Sequence, residues 1–528
     1  MMIPPAHGNS ADDSPLTTGF RIRVAIGILL GLRRHDFRAA RTFMNIQWPN
    51  VPWYARLAKF LVWSWRQMWC DIPDVMRDTS FSHPVSSVPI WLAAGNPLAN
   101  HPWRDNPNTA LPAAADAVVI GCGLAGSAMA YHWSHNAVPG QRMVVLEMDD
   151  VASGSAGRNE GLVVMGRYYH MVYKTVLANL PKARPDLSAA ERDQLARQFA
   201  AAYCRGCYRN GDLIETTIRR EGFLCDYARE GWVQARDENG QATLGESVRM
   251  ALDSGFDDWT SITPEQVEQL TGMHVRHNAG FSVAAGSFHP AKWCWCLVQR
   301  ALELGRVELF SRTKVVKVVD EGEYYLVRTD RGEIRARHVV NCTESYTALL
   351  HQQFRGLMRP TQTQAAMGNS GPETMKPHIG ISGTYAFFGR HGNNIMIGSD
   401  STRVPDRQAG VNQPSRFLTK FCIAELKKVY GRFTYHVKNE WSGTVTYTPD
   451  EYPVVGLMDS KRQHIIGGMA GSGTAVGFNA ARCIVNRMLG RTDQPDDFPP
   501  QYFSPMRLLN PARHEWPKLE QSKAELHR

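Results

Sequence analysis

Apolar and polar positions change their period several times along this 528-residue chain. Residues 1 to about 20 carry no pattern and read as disordered. Residues 21 to 70 read as helical and amphipathic, most clearly from Trp53 to Arg66, where aromatic side chains alternate with cations. Residues 71 to 112 are rich in Pro, Ser and Asn and read as an extended linker. The main body starts near Ala113. Asp116 to Ile120 is a short apolar run, a glycine-rich turn and a helical pattern follow, and Arg142 to Glu147 is the next strand. Strand, turn, helix, strand predicts a βαβ unit.

Further along, Ser188 with Glu191 forms a capping box. Thr263-Pro264-Glu265-Gln266 forms another, with proline at the first helical position. Gln198 to Thr217 is helical in pattern. Short β-like runs follow at Lys314 to Val319, Tyr324 to Thr329, Glu333 to Asn341 and Asn394 to Gly398. Together these predict an α/β chain with a parallel sheet and a second, antiparallel region. The tail after Gly490 is rich in Pro and charge and is expected to wrap the surface. No internal repeat is present.

Composition adds limits. Hydrophobic residues are 43% and charged residues 21%, so most of the chain is globular. The net charge is +9, and Arg21, Arg23, Arg33, Arg34, Arg38, Arg41, Arg56, Lys59 and Arg66 crowd the first seventy residues. Such a segment suits an anionic membrane surface, an acidic partner or a solvated face. The Trp53–Arg66 piece suits an interfacial helix, or packing on the body or a second subunit. No zinc-finger spacing, RNA-binding signature or basic-region heptad is present, so no nucleic-acid partner is expected. The ten cysteines do not make a disulfide scaffold in a chain this long. Cys204 and Cys207 have metal-like spacing without a second pair, so helix packing is expected and no metal. Val24 to Leu32 is much shorter than the roughly 20 residues a membrane span needs. No secretory signal is read at the start. Reduced thiols fit a cytoplasmic protein, with association to a membrane surface left open.

The chemistry begins at Gly121-Cys122-Gly123-Leu124-Ala125-Gly126, a G-x-G-x-x-G turn. Its context gives it meaning: an apolar strand before it, a helix after it, an acid at the end of the next strand. Gly121 allows the tight turn, Gly123 lets backbone approach a pyrophosphate, and Gly126 lets helix and strand pack closely. The helix N-terminus then offers N–H groups and a positive dipole end to phosphate. Glu147 lies 21 positions past Gly126 and can accept hydrogen bonds from an adenosine ribose. A 2′-phosphate would be repelled there.

NAD and FAD share this fingerprint, and the next loop separates them. Ser153-Gly154-Ser155-Ala156-Gly157-Arg158-Asn159-Glu160-Gly161 is a second small-residue loop. Here the sequence resembles the D-amino acid oxidase-like FAD-dependent oxidoreductases, which include glycine oxidase and monomeric sarcosine oxidase. In that family a G-x-S-G-R-N-x-G loop passes under the pyrophosphate and beside the flavin ring, which implies cofactor contacts for Ser155, Arg158, Asn159 and Gly161. Further segments agree in order: Gly286 to Pro290 before a helix (291 to 305), then the 314–319 strand, whose backbone would contact adenine at Val316. His338 to Thr343 resembles the strand that returns to the dinucleotide fold. Trp441-Ser442-Gly443 and Thr448-Pro449-Asp450-Glu451 resemble the late signature. Gly467 to Thr474 resembles the final flavin turn, which implies contacts from Gly471, Ser472, Gly473 and Thr474. The resemblance covers about 113 to 492. It implies a Rossmann-like FAD-binding domain in three parts (113–180, 286–345, 441–492). A mixed antiparallel-sheet substrate domain takes two parts (181–285, 346–440), with an N-terminal helical extension and linker (1–112) and a C-terminal tail (493–528).

Two departures matter. Glycine-oxidase-like members carry a carboxylate-gripping arginine where Val445 stands, so a simple α-amino acid is a poor expectation for the substrate. Sarcosine-oxidase-like members attach the flavin through a cysteine where Gly443 stands, and the early loop lacks an attaching histidine. Non-covalent FAD is therefore expected. The resemblance implies oxidation of a C–N bond of a small molecule, by hydride transfer from a neutral amine to flavin N5. That transfer needs no obligatory protein base, and no catalytic residue is assigned. Tyr168, Tyr169, His170, Tyr385, Phe387 and Phe388 are candidate pocket walls, with core packing the alternative for each. His289, beside Pro290 at a helix start, reads as structural. Competing expectations are a dehydrogenase delivering electrons to a carrier or membrane acceptor through residues 21–70, C–O oxidation of a hydroxy acid, and a non-catalytic flavin-binding protein. Oligomeric state is not readable.

Overall fold

A computed structural model describes residues 17–32, 40–41, 44–45, 48, 51–73, 81–103, 106, 108–164, 168–399, 414–458 and 461–519. Two sheets organise it. The eight-stranded sheet is parallel at its centre. Gly332–Asn341, Ala114–Ile120, Met143–Leu146 and Val307–Phe310 run side by side in that order. Gln463–Gly467 adds in parallel on the far side of Gly332–Asn341, and an antiparallel hairpin extends the same sheet. Its central strands are apolar on both faces because both are covered: Val119, Val145 and Val340 face helices, while Val118 and Val144 face Trp103 and the hairpin residues Tyr325, Val327 and Ile334. The helices Leu124–Asn136, Pro290–Glu303 and Gly473–Met488 pack on one another over this sheet.

The nine-stranded sheet is mostly antiparallel. Its order is Phe81–Ser86, His436–Tyr447, Arg359–Asn369, Asn394–Ser399, Ala386–His391, Gly380–Ser382, Trp232–Gln234, Ala279–Ser282, Trp259–Ile262. The longest pairing, Arg359–Asn369 with His436–Tyr447, sets Thr361 opposite Val445 and Thr363 opposite Gly443. This is the mixed α/β architecture expected.

Both capping boxes form as read: Ser188 with Glu191 opens Ala189–Glu221, and Thr263 with Gln266 opens Pro264–Thr271. Each helix ends on a left-handed glycine, Gly222 and Gly272. Cys204 and Cys207 are buried in the first of these helices, as helix packing requires. The expected disorder before residue 17 lies outside the described residues.

Two segments differ from expectation. Within the region read as a linker, Phe81–Ser86 pairs in parallel with His436–Tyr447 and forms the edge strand of the large sheet, and Ile90–Ala93 makes a short helix that buries Trp91. The tail does more than wrap: Phe498 and Phe503 are completely buried. Arg507 reaches the equally enclosed Asp450, with Nε donating at 2.9 Å and Nη2 at 3.2 Å. Apolar positions too sparse to make a period still found a core face, because two or three large rings suffice to anchor a short segment.

Candidate active site

The first strand ends at Gly121, which sits at φ +94°. A Cβ there would lie 2.6 Å from the Cys342 carbonyl oxygen, and one at Gly126 would lie 1.8 Å from the Gly121 oxygen. Neither position has room for a side chain. Gly123 precedes Leu124–Asn136 as its N-cap, so the free N–H groups of that helix's first turn, at Leu124 and Ala125, stand at the mouth of the turn. Glu147 follows the second strand. Its Oε2 accepts from the Cys122 N–H at 2.7 Å and its Oε1 from the Asp149 N–H at 3.0 Å. Each oxygen keeps a second acceptor site for a ribose hydroxyl. Burial pushes this carboxyl above the usual range, and the backbone N–H bonds pull it back.

The second loop is stitched to the large sheet. Ser155 Oγ donates to the Thr444 carbonyl. Arg158 donates from Nε to Ser153 O at 3.0 Å and from Nη1 to Ser442 O at 3.2 Å. The Trp441 indole donates to Arg158 O at 2.9 Å. Arg158, expected to contact the cofactor, thus gives two of its donors to main-chain carbonyls and fastens the loop to the sheet. Asn159 donates from Nδ2 to Ala156 O at 2.8 Å and accepts from the Gly161 N–H at 2.8 Å, closing the loop on itself. Gly161 sits at φ +75°, where a Cβ would meet Phe288 O at 2.5 Å.

One contact was not foreseen. Trp91 Nε1 donates to Asn159 O at 2.8 Å, and a Cβ on Gly157 would lie 2.6 Å from Leu92 Cδ2. The Trp91 ring stands edge-on between His289 and His391, each at 4.9 Å between centroids. The supposed linker therefore clamps the second loop. Its sequence signal was the brief run Val88-Pro89-Ile90-Trp91-Leu92 amid polar neighbours.

The late turn completes the cradle. Gly471 is left-handed and Ser472 caps Gly473–Met488. A Cβ on Gly473 would touch Leu124 Cδ1 at 3.4 Å, so this helix start meets the first helix start at one point. Thr474 Oγ1 donates to Leu162 O at 2.5 Å, and Thr474 O accepts from Asn210 Nδ2 at 2.9 Å. Beside it stands Glu344, at φ +41° just past the return strand, with Oε1 accepting the Met469 N–H at 3.2 Å. Its Oε2 is buried without a hydrogen-bond partner. Burial pushes this carboxyl up to about 7, against the backbone N–H bonds of Met469, Gly468 and Thr446. Sequence reasoning did not single out Glu344.

Of the expected cofactor residues, Gly121, Gly123, Leu124, Ala125, Gly126, Glu147 and Gly471 to Thr474 surround the two helix starts. Ser155, Arg158, Asn159 and Gly161 form the neighbouring loop. Val316 stands apart on the outer hairpin, 55% exposed, at a bulge between Val315 and Lys317. The chain reaches it from Thr313, whose N–H bonds Glu147 O at 2.8 Å.

A narrow cleft of about 10 Å³, room for a single water, opens beyond Gly161, between Glu160, Leu162, His378, Phe387, Phe388, Arg390, His391 and Met396. Phe387 and Phe388 line this cleft, and Phe388 is at the same time buried in the core beside the large sheet. Tyr169 is core, its ring tilted at 45° against Phe256. His170 is buried against Glu246 at 3.1 Å. Tyr385 is exposed, and the Tyr168 side chain lies outside the described residues. His289 is structural: its Nδ1 accepts the Lys292 N–H at 3.2 Å. Burial pushes both His289 and His391 down to about 4, so each ring is neutral near pH 7.

Two glycines with no space for a Cβ, a carboxylate after the second strand and two converging helix starts fit an adenine dinucleotide. Beside a large, mostly antiparallel sheet, they define a protein of the dinucleotide-binding class. The FAD dependent oxidoreductase family matches residues 116–487, and the chain belongs to that family. It is 22% identical over 394 residues to the probable oxidoreductase OrdL of Haemophilus influenzae, covering 71% of this chain and 83% of that one. Its fold is that of the L-proline dehydrogenase of P. horikoshii (TM-score 0.59, 18% identity, 74% of this chain and 97% of that one). It is also that of the glycine oxidase of Geobacillus kaustophilus (TM-score 0.57, 16% identity, 74% and 98%). An L-amino acid deaminase from Proteus vulgaris superposes similarly (TM-score 0.57, 20% identity, 76% and 95%).

Proposed function

We propose that this enzyme oxidises the C–N bond of an amine or amino-acid-derived molecule, using FAD held without a covalent link. The observation that carries the reading is the match of residues 116–487 to the FAD dependent oxidoreductase family, and the narrow cleft beside the second loop supports it. The exposed wall surface of this cleft is mostly apolar, with Glu160, Ser287, His378, Arg390 and His391 as the polar members, and burial holds His391 neutral near pH 7. The same surroundings that disfavour a protonated imidazole disfavour a protonated amine, so they favour the free amine from which hydride departs. Bound FAD supplies the hydride acceptor. The chain's own groups do the rest: Leu124 and Ala125 N–H groups hold phosphate, Glu147 holds the ribose, and Arg158 with Trp91 fixes the second loop. Names among the similar structures, including a proline dehydrogenase, a glycine oxidase, an amino acid deaminase and an iminodiacetate oxidase, support nitrogen substrates. Val445 faces Thr361 in the large sheet and offers no cation for a carboxylate, which favours substrates beyond simple α-amino acids.

The test is a visible spectrum before and after acid precipitation, followed by anaerobic titration with amines, N-methyl amino acids and hydroxy acids. Flavin released to the supernatant and bleached by a nitrogen substrate is the expected result. Colour held in the pellet would overturn the non-covalent assignment. Bleaching by hydroxy acids alone would move the reaction to C–O bonds. No bleaching by any donor would make the flavin structural.

A further inference from the structure

The basic segment ahead of the dinucleotide fold is the largest feature the catalytic reading leaves unused. From residue 14 to residue 70 it holds nine Lys and Arg against one acid, Asp36, so it carries +8 of the chain's +9. Within it the helix Trp53–Arg66 has no buried residue. At about 100° per residue, Trp53, Tyr54, Leu57, Leu61, Val62 and Trp65 fall on one half of that helix. All six are exposed, Trp53 at 74% and Val62 at 71%. Arg56, Lys59 and Arg66 occupy the other half. An earlier helix, Thr18–Leu32, packs Val24 and Ala25 inward while Ile22 and Ile26 stay exposed.

We infer that this helix is a docking surface for an anionic lipid bilayer. It would lie in the interface plane with its apolar half below the headgroups and its cations on lipid phosphates. Tryptophan and tyrosine suit that depth, having an apolar body and a polar edge, and the long cationic stems can reach up to the phosphates. The charge decides between occupants. A second copy of the chain would set one +8 segment against another, whereas an anionic surface neutralises it. No helix among the described residues is long and apolar enough to cross a membrane. The contact is therefore peripheral, and it brings the flavin domain beside the lipid phase whatever its substrate.

Flotation of the full-length flavoprotein with phosphatidylcholine vesicles, with and without one quarter phosphatidylglycerol, tests this. Binding to the anionic vesicles should exceed binding to the neutral ones by at least about tenfold and fall steeply with added salt. Leu57→Gln/Leu61→Gln/Val62→Gln should lower binding about tenfold or more, as each apolar side chain leaves the interface. Lys59→Glu/Arg66→Glu should do so mainly at low salt. Retained flavin absorbance in both variants shows that the catalytic body is intact, as expected where no residue of the helix is buried. Equal recovery with both vesicle types, or unchanged binding by the Gln variant, overturns the inference. So does an oligomer in size-exclusion chromatography with light scattering that the Gln variant dissolves, since a second copy would then cover this face.

Discussion

The two sheets are specified in different ways. In the eight-stranded sheet the decisive constraints are backbone ones: Gly121 and Gly126 have no space for a Cβ, and helix starts converge on a point. In the nine-stranded sheet close glycine contacts recur, a Cβ on Gly368 lying 2.4 Å from the His436 carbonyl oxygen, but its junction with the second loop is set by side chains: Ser155, Arg158 and Trp441 bond across it, and Phe387 and Phe388 line the cleft. A backbone constraint admits one residue type and leaves a sharp mark in the sequence. A side-chain constraint admits many solutions and leaves a faint one.

Substitutions can test that contrast, beginning with the most severe. Gly126→Ala puts a carbon 1.8 Å from a carbonyl oxygen. The loss should exceed about 4 kcal/mol, so the purified protein should carry no flavin absorbance. If the variant stays yellow, the backbone account of the first sheet fails. Next, Arg507→Ala strands Asp450 as a buried charge and should cost about 3–5 kcal/mol in chemical denaturation. Double replacement of Arg507 and Asp450 by apolar residues should recover much of that.

Glu344→Gln comes third. The folded state holds a proton on Glu344 up to about pH 7, whereas an unfolded glutamate releases it near 4.5. Stability from this group is therefore complete below pH 4.5 and is lost as pH rises toward 7, by up to about 3 kcal/mol. Thermal unfolding across pH 5 to 8 should show a shallower fall for the Gln variant than for the parent. Identical pH slopes would remove Glu344 from the account. The smallest effect belongs to Trp91→Phe, which keeps the ring between the histidines and deletes only the bond to Asn159 O. That should cost about 1 kcal/mol, read as roughly fivefold faster FAD release. A larger loss would show the clamp to be as stringent as the glycine turn.

The same contrast explains what could be read before any coordinates. The glycine turn, Glu147, both capping boxes and the parallel strands were legible, because each needs a particular residue type at a fixed spacing. Trp91 and Arg507 were not. A tryptophan in a proline-rich stretch and an arginine in a charged tail look like surface until their partners, hundreds and tens of residues away, are known. Arg158 was legible as a site residue, but its hydrogen bonds to Ser153 and Ser442 carbonyls depend on how the loop meets the large sheet. Glu344 escaped because a lone acid after a strand has no spacing rule.

The parallel pairing of Phe81–Ser86 with His436–Tyr447 has a consequence for biosynthesis. Asn439 Nδ2 bonds Val88 O across 351 residues of chain. A ribosome therefore delivers the Trp91 segment long before the strand that seats it, and the glycine turn long before the late helix that meets it. The nascent polypeptide can close neither until almost all of it has been translated, which is the slow, non-local end of folding. Cofactor capture then falls at the close of synthesis: chains ended before the late helix should be purified colourless and should be cut faster by protease than the full chain.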